Sequence, residues 1–207
     1  MVQAVQSQGA RVLDLLAAKG MLRLKDFIAE DIEPETLSRL VRSAKVIRPA
    51  RGLYQLPDTA AEATHMFAEA CILVPKGVIC LTSALQFHEL TLQMPSAIWM
   101  AIEQGAWRPT ITYPPLQFAR FNTWAMTEGI SRQRVENSEI PMTNPARTIV
   151  DCFRYRNKIG LDVALEGLRE GLRRRKCTPD ELWSYAVKAR AWNVMRPYVE
   201  AIASDAA

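Results

Sequence analysis

Apolar residues recur at three- and four-residue spacing through the first forty positions, and that period is helical. Residues 8–19 place Val12, Leu13, Leu15 and Leu16 on one side and Arg11, Asp14 and Lys19 on the other, with Gly20 ending the helix. Residues 21–24 suit a short strand. Residues 25–30 predict a second helix with Phe27 and Ile28 inward, and Asp31-Ile32-Glu33 a turn. Pro34 then fixes φ at a helix start, where its missing N–H has no partner to lose, and Glu33 and Glu35 suit the positive helix end. Leu37, Leu40 and Val41 form the inward stripe of this third helix, while Thr36, Ser38, Arg39, Arg42 and Ser43 point the other way. Two β-prone runs follow, 46–49 and 53–56, joined through Ala50-Arg51-Gly52, where Gly52 can supply the positive φ of a tight hairpin. Helix, short strand, helix, turn, helix, hairpin is the order of a winged helix-turn-helix. Its expected core is Val12, Leu16, Phe27, Ile28, Leu37, Val41 and Tyr54.

Pro57-Asp58 breaks the pattern, and an alanine-rich helix over 59–73 carries acids where the preceding stretch carried bases. The expected division is therefore 1–58 and 59–207, with this helix as connector. Beyond it, 78–81 reads as a short buried strand and Thr82 as the N-cap of a helix over 83–90. Residues 97–103 suit a central strand. Runs 110–113 and 117–122 suit two more, with Pro114-Pro115 between them, and 130–135 and 139–142 a hairpin around Glu136-Asn137-Ser138. The tail predicts four helices: 145–155 capped by Asn144, 161–174, 179–190 capped by Thr178, and 193–203. Strands in the middle and helices at the end make an α+β chain: a winged helix-turn-helix, then a mixed α/β domain with a central sheet and a C-terminal helical cluster.

At 207 residues and 49% apolar the chain can bury a sizeable core. Net charge of +4 and a pI near 9.0 are mild, so where the charge lies matters more than its sum. From Thr36 to Leu56 the charged residues are Arg39, Arg42, Lys45, Arg48 and Arg51, with no acid among them, as phosphate contact requires. Arg39 suits a guanine edge, because a guanidinium pairs with it bidentately. Thr36 and Ser38 are placed to donate to phosphate or base near the helix start, Arg42 and Lys45 to sit on phosphates, and Arg48 and Arg51 to reach backbone or minor groove from the wing. A second basic region includes Arg154, Arg156, Arg169, Arg173 and Lys176, the last three at helical spacing. It suits DNA beside the winged domain or an acidic partner. With Asp162, Glu166 and Glu170 interleaved it also reads as a solvated helix.

Arg147 and Asp151 stand four apart and suit a structural pair. Trp107, beside Arg108 in a Gly105-Ala106 turn, is the tryptophan expected at an interface. His65, Cys71, Cys80 and His88 are ligand types without ligand spacing, so no metal or cofactor is assigned, and His88 is expected on a backbone group. Neither Asp-x-Lys nor Glu-x-Lys occurs, and Asp31-Ile32-Glu33 falls in a turn where a nucleotidyltransferase pair would need a strand. His-Glu-x-x-His, Gly-x-x-x-x-Gly-Lys and Gly-x-Ser-x-Gly are missing too, which argues against an enzyme. The start MVQAVQSQGA lacks a signal-peptide pattern, no apolar run reaches membrane-spanning length, and scattered cysteines suit reduced thiols; a cytoplasmic protein is expected.

The run NPARTIVDCFRYRNKIGLDVALEGLREGLRRRKCTPDELW, then ARAWNVMRPYVEAI, resembles the C-terminal half of AbiEi-type antitoxins of abortive-infection, type IV toxin–antitoxin systems. RGLYQLPD at the end of the winged unit and LTSALQFHEL in the second domain are similar as well. The resemblance implies phage defence. By it, the N-terminal domain binds inverted repeats in its own promoter and represses transcription. The second domain confers antitoxicity against a nucleotidyltransferase-like toxin. A two-fold symmetric operator usually takes two protomers, which DNA alone can bring together, so a monomer or weak dimer paired on DNA is expected. A regulator without a toxin partner is the alternative reading.

Overall fold

Three short helices and a strand pair account for the first stretch of the chain, and each end has a local cause. The structure is a computed structural model that describes residues 6–57, 63–135 and 138–205. Ser7 caps α1 (Gln8–Lys19) by accepting from the Ala10 N–H, and Gly20, at φ 75°, closes it. β1 (Met21–Arg23), α2 (Leu24–Ala29), α3 (Pro34–Arg42) and β2 (Leu53–Gln55) follow. β1 and β2 pair antiparallel, Leu22 opposite Tyr54, and Ile47 bridges to Gln55 on the other side. Val12, Leu16, Phe27, Leu37 and Tyr54 form the core, with Phe27 edge-on to Tyr54 at 5.9 Å. Ile28, expected inward, is 53% exposed. Adjacent helical residues point about 100° apart, and in α2 it is Phe27 that faces the core.

The chain divides into two compact units, residues 1–69 with 134–139, and residues 70–133 with 140–207. The division falls within α4 (Ala63–Leu73), past the composition break at Pro57-Asp58. Asp58, the expected helix start at 59–62 and the expected turn at Glu136-Asn137 lie outside the described residues. In α4, His65 is buried and its Nε2 lies 2.9 Å from Gln55 Oε1.

The remaining elements are β3 (Val78–Ile79), α5 (Leu81–Phe87), β4 (Ile98–Glu103), β5 (Leu116–Phe121), a 3-10 turn at Trp124–Met126, β6 (Ile130–Val135), β7 (Ser138–Thr143), α6 (Pro145–Arg154), α7 (Arg156–Ile159), α8 (Leu161–Arg173), α9 (Pro179–Lys188) and α10 (Trp192–Asp205). The sheet order is β5-β4-β3-β7-β6; β4 runs antiparallel to β3 and parallel to β5, and β3 parallel to β7. Because β4 and β5 are parallel, the chain must travel back between them. Residues 104–115 make that return, so 110–113, expected as a strand, form none. Thr82 does not cap α5: the helix starts at Leu81 after Cys80, and Thr82 lies inside it.

α6 is the centre of the helical cluster, with Ala146 through Phe153 all buried. Asn144 caps it by accepting from the Arg147 N–H, and Thr178 and Glu181 form a capping box on α9. α8 comes close to its neighbours through two glycines: a Cβ at Gly171 would stand 2.6 Å from Ile149 Cδ1, and one at Gly167 2.9 Å from Leu85 Cδ2. Helices α2, α3, α5, α8 and α9 end alike, each followed by a non-glycine residue at positive φ: Asp31, Ala44, Glu89, Arg175 and Arg190. In each, the next residue's N–H returns to a carbonyl of the last turn, as in Lys45 N to Leu40 O at 3.0 Å.

Candidate nucleic-acid interface

α3 is oriented from its start. Glu33, its N-cap residue, offers no side-chain cap, so the exposed amide there needs an acceptor from elsewhere. Gln8 of α1 supplies it: its Oε1 accepts from Glu33 N at 3.2 Å and from the Thr36 hydroxyl at 2.9 Å, while its Nε2 donates to Asp31 O at 3.3 Å. Gln8 was not singled out from the sequence, where nothing marks a glutamine on one helix as the cap of another. Thr36 is consequently 6% exposed, its hydroxyl turned inward, so the phosphate or base contact expected of it gives way to a structural one.

Ser38, Arg39, Arg42, Lys45, Arg48 and Arg51 are all exposed. Their surroundings differ. Ser38 donates back to Pro34 O at 3.1 Å. Arg42 is ion-paired with Glu35, and both side chains are more than two-thirds exposed, so the pair is weakly held. The Arg48 guanidinium lies 5.9 Å from the Tyr54 ring centroid. Among the described residues, the side chains of Arg39, Lys45 and Arg51 have no hydrogen-bond or ion-pair partner, so they can meet an anion without breaking an internal contact. Arg51 sits at the turn tip, where Leu53 N donates to Ala50 O at 3.1 Å and Gly52 takes φ 74°, as expected; residues 46–49, expected as the hairpin's first strand, form none and meet β2 only through the Ile47–Gln55 bridge. The acids Glu33 and Glu35 stand at the start of α3, so its positive charge gathers at the C-terminal half and in the hairpin.

The second basic region is less uniform than its spacing implies. Arg154 and Arg169 are exposed, and Arg156 donates to Phe153 O at 3.0 Å. Arg173 and Arg174 share Glu170, whose carboxyl they hold below the usual range, and Arg174 also lies 3.5 Å from Glu89. α8 stops at Arg173 and Arg175 turns at φ 53°, so Lys176 leaves the helical face expected for it with Arg169 and Arg173. Glu166 is committed elsewhere, accepting from the Thr91 hydroxyl and the Leu92 N–H.

Arg147 and Asp151 do pair, at 3.0 Å, and both are buried. The Arg147 guanidinium also donates to Glu128 O at 2.7 Å and lies 4.5 Å from the Trp124 ring centroid, so it fastens the 3-10 turn to α6. Burial nevertheless pushes the Asp151 carboxyl up to about 6. His88 Nε2 donates to Thr143 O at 2.7 Å, and burial lowers its pKa. All four cysteines are free, with Cys71 and Cys177 pushed up to about 12 by burial. Among the described residues no three His, Cys, Asp or Glu side chains gather as a metal set, and no helix is long and apolar enough to cross a membrane.

Residues 10–57 match the model of the family described as transcriptional regulator, AbiEi antitoxin. No curated protein matches the chain. Among solved structures, the chain is similar to the crystal structure of the Rv2827c protein from Mycobacterium tuberculosis, with TM-score 0.66 and 12% identity over 97% of this chain and 79% of that one. At that identity the likeness is one of fold. It is thus the N-terminal helices and hairpin of this chain that are similar to the AbiEi antitoxin family of transcriptional regulators.

Proposed function

We propose that residues 1–58 act as a winged helix-turn-helix that grips duplex DNA, with α3 as recognition helix and the hairpin around Arg51 as wing. The observation that carries this reading is the run of five exposed cations, Arg39, Arg42, Lys45, Arg48 and Arg51, on one helix and its adjoining hairpin, with no acid between Thr36 and Leu56. Arg39 reads a base edge, helped by Ser38; Arg42, Lys45, Arg48 and Arg51 hold the backbone; Thr36 sets the start of the helix. The protein is a cytoplasmic repressor of its own promoter, bound as monomers or a weak dimer paired on inverted repeats, and catalyses no reaction. Residues 59–207 supply antitoxicity toward a nucleotidyltransferase-like toxin. Arg154, Arg156, Arg169, Arg173 and Lys176 serve there as an auxiliary contact to DNA or to an acidic partner.

The test is a binding titration on the promoter duplex and on scrambled duplex. Arg39→Ala loses roughly 1–3 kcal/mol on the promoter and little on scrambled DNA. Arg51→Ala weakens both and reduces the salt slope by about 1. Wild-type binding by both variants would refute the assignment of this face. A regulator without a toxin is the second reading; failure to protect cells against the product of any adjacent toxin gene would favour it.

A further inference from the structure

In the return between β4 and β5, Trp107 is 91% exposed although the residues on either side of it are tied down. The Arg120 guanidinium donates to Ala106 O and, at 3.2 Å, to Glu103 O, fixing the turn before it. The Arg108 guanidinium lies 5.7 Å from the Phe118 ring centroid, fixing the residue after it. An indole held out by its neighbours loses little freedom when it is covered, which is the property of an interface anchor. Trp107 stands on the rim of a groove of about 690 Å³ walled by Val74, Ile102 and Met126, and Lys76 lines it too. That volume is within the range of sites that enclose side chains or small ligands, roughly 300–1,000 Å³. The one acid of the lining, Glu103, accepts from the Thr123 hydroxyl at 3.3 Å. Lys76 is the one base of the lining and balances it; beside the lining, Arg108 follows Trp107 in the chain and the Arg120 guanidinium sits on Glu103 O and Ala106 O, so positive charge flanks the Trp107 side of the groove.

We infer that this groove docks an acidic protein segment carrying an apolar anchor, the anchor seated between Trp107 and Met126 and the flanking acids meeting Lys76 and Arg108. The inference deepens the partner-binding reading of residues 59–207 and rests on it. An apolar floor favours a peptide side chain over a nucleobase, whose edges need polar partners. Flank charge sets which partners are admitted.

The test uses the full-length protein labelled with 5-fluorotryptophan, the Trp107 resonance being assigned by its loss in Trp107→Phe. Probes are an eight-residue peptide with a Leu-Phe centre between acidic triads, the same centre between lysine triads, an acidic peptide with a Ser-Ser centre, and a ten-nucleotide oligothymidylate. The Trp107 resonance shifts saturably with the first probe alone, and at least fivefold more weakly in Lys76→Glu, an exposed position where the fold tolerates the change. No shift at millimolar peptide, an equal shift with either control peptide, or a shift with oligothymidylate alone overturns the inference. So does a shift that follows protein concentration without any probe, which would make the occupant a second copy of the chain. Duplex binding is measured on the same samples: a protein that grips DNA but ignores the peptides refutes this inference and leaves the DNA reading standing.

Discussion

Arg147→Met removes a guanidinium whose every contact is visible, so its consequence can be worked through. That group lies 3.0 Å from Asp151 Oδ2, donates to Glu128 O at 2.7 Å and Ala125 O at 3.3 Å, and sits 4.5 and 5.3 Å from the Trp124 and Phe121 ring centroids. Breaking a buried pair by removing one member costs about 3–5 kcal/mol, because the other charge is left without compensation. A domain is stable by only roughly 5–15 kcal/mol. The size of the deficit depends on pH through Asp151, whose carboxyl is raised from 3.8 to about 6 by burial even with Arg147 beside it. An acid raised in this way binds its proton more tightly folded than unfolded. Its contribution is therefore fully favourable below pH 4 and falls as pH climbs to about 6, by about 3 kcal/mol for a shift of that size, then levels off. Without the guanidinium the carboxyl rises further, so Arg147→Met continues to lose stability above pH 6 and its deficit is larger at pH 8 than at pH 5. Asp151→Asn has no acid left to titrate: its deficit shrinks between pH 4 and 6, and at pH 7 it stays below that of Arg147→Met. Urea unfolding followed by tryptophan emission measures this in the second unit alone, since Trp99, Trp107, Trp124, Trp183 and Trp192 all belong to it. An Arg147→Met deficit under about 1 kcal/mol, or one equal at pH 5 and pH 8, would refute the reasoning.

Three further outcomes follow from local geometry. Ala44→Gly relieves a left-handed alanine at φ 54° at the end of α3 and stabilises the first unit by about 0.5–1 kcal/mol, read as a higher far-UV melting temperature. Gly171→Ala drives a methyl to within 2.6 Å of Ile149 Cδ1 and costs about 1–3 kcal/mol, whereas Gly9→Ala, where the nearest atom is 4.0 Å away, leaves α1 as stable or about 0.5–1 kcal/mol more so. Chemical denaturation ranks the two, and a neutral Gly171→Ala would mean that α8 can shift away from α6. Glu35→Gln frees Arg42 and removes a negative charge beside it, so duplex affinity rises about two- to fivefold at 0.1 M salt and the salt slope steepens by up to about 1; a variant with weaker binding would show that Arg42 does not face phosphate.

Helix starts with a local side-chain cap are legible in the chain, and helix stops without glycine are not. Asn144 and Thr178 cap α6 and α9 as their side-chain chemistry dictates, because an N-cap bond reaches only two or three residues along the chain. The stops after α2, α3, α5, α8 and α9 use Asp31, Ala44, Glu89, Arg175 and Arg190 in a conformation that glycine would advertise and these residues do not. For that reason Lys176 leaves the helical face that its spacing predicts. At the candidate interface, the exposure of Arg39, Lys45 and Arg51 is legible because a solvated cation needs no partner. The inward turn of Thr36 was not, because it depends on Gln8 from another helix.

The sequence by itself determined the one-signed charge of 36–56, the helical and alternating apolar periods, and the i, i+4 placement of Arg147 and Asp151, all properties of neighbours along the chain. Only the tertiary structure decided that β4 and β5 run parallel, that Phe27 and not Ile28 enters the core, and that Trp107 is left in water on the rim of a groove. Those outcomes turn on which distant surfaces compete for the same buried volume, and a close-packed interior settles that competition only once every element is in place.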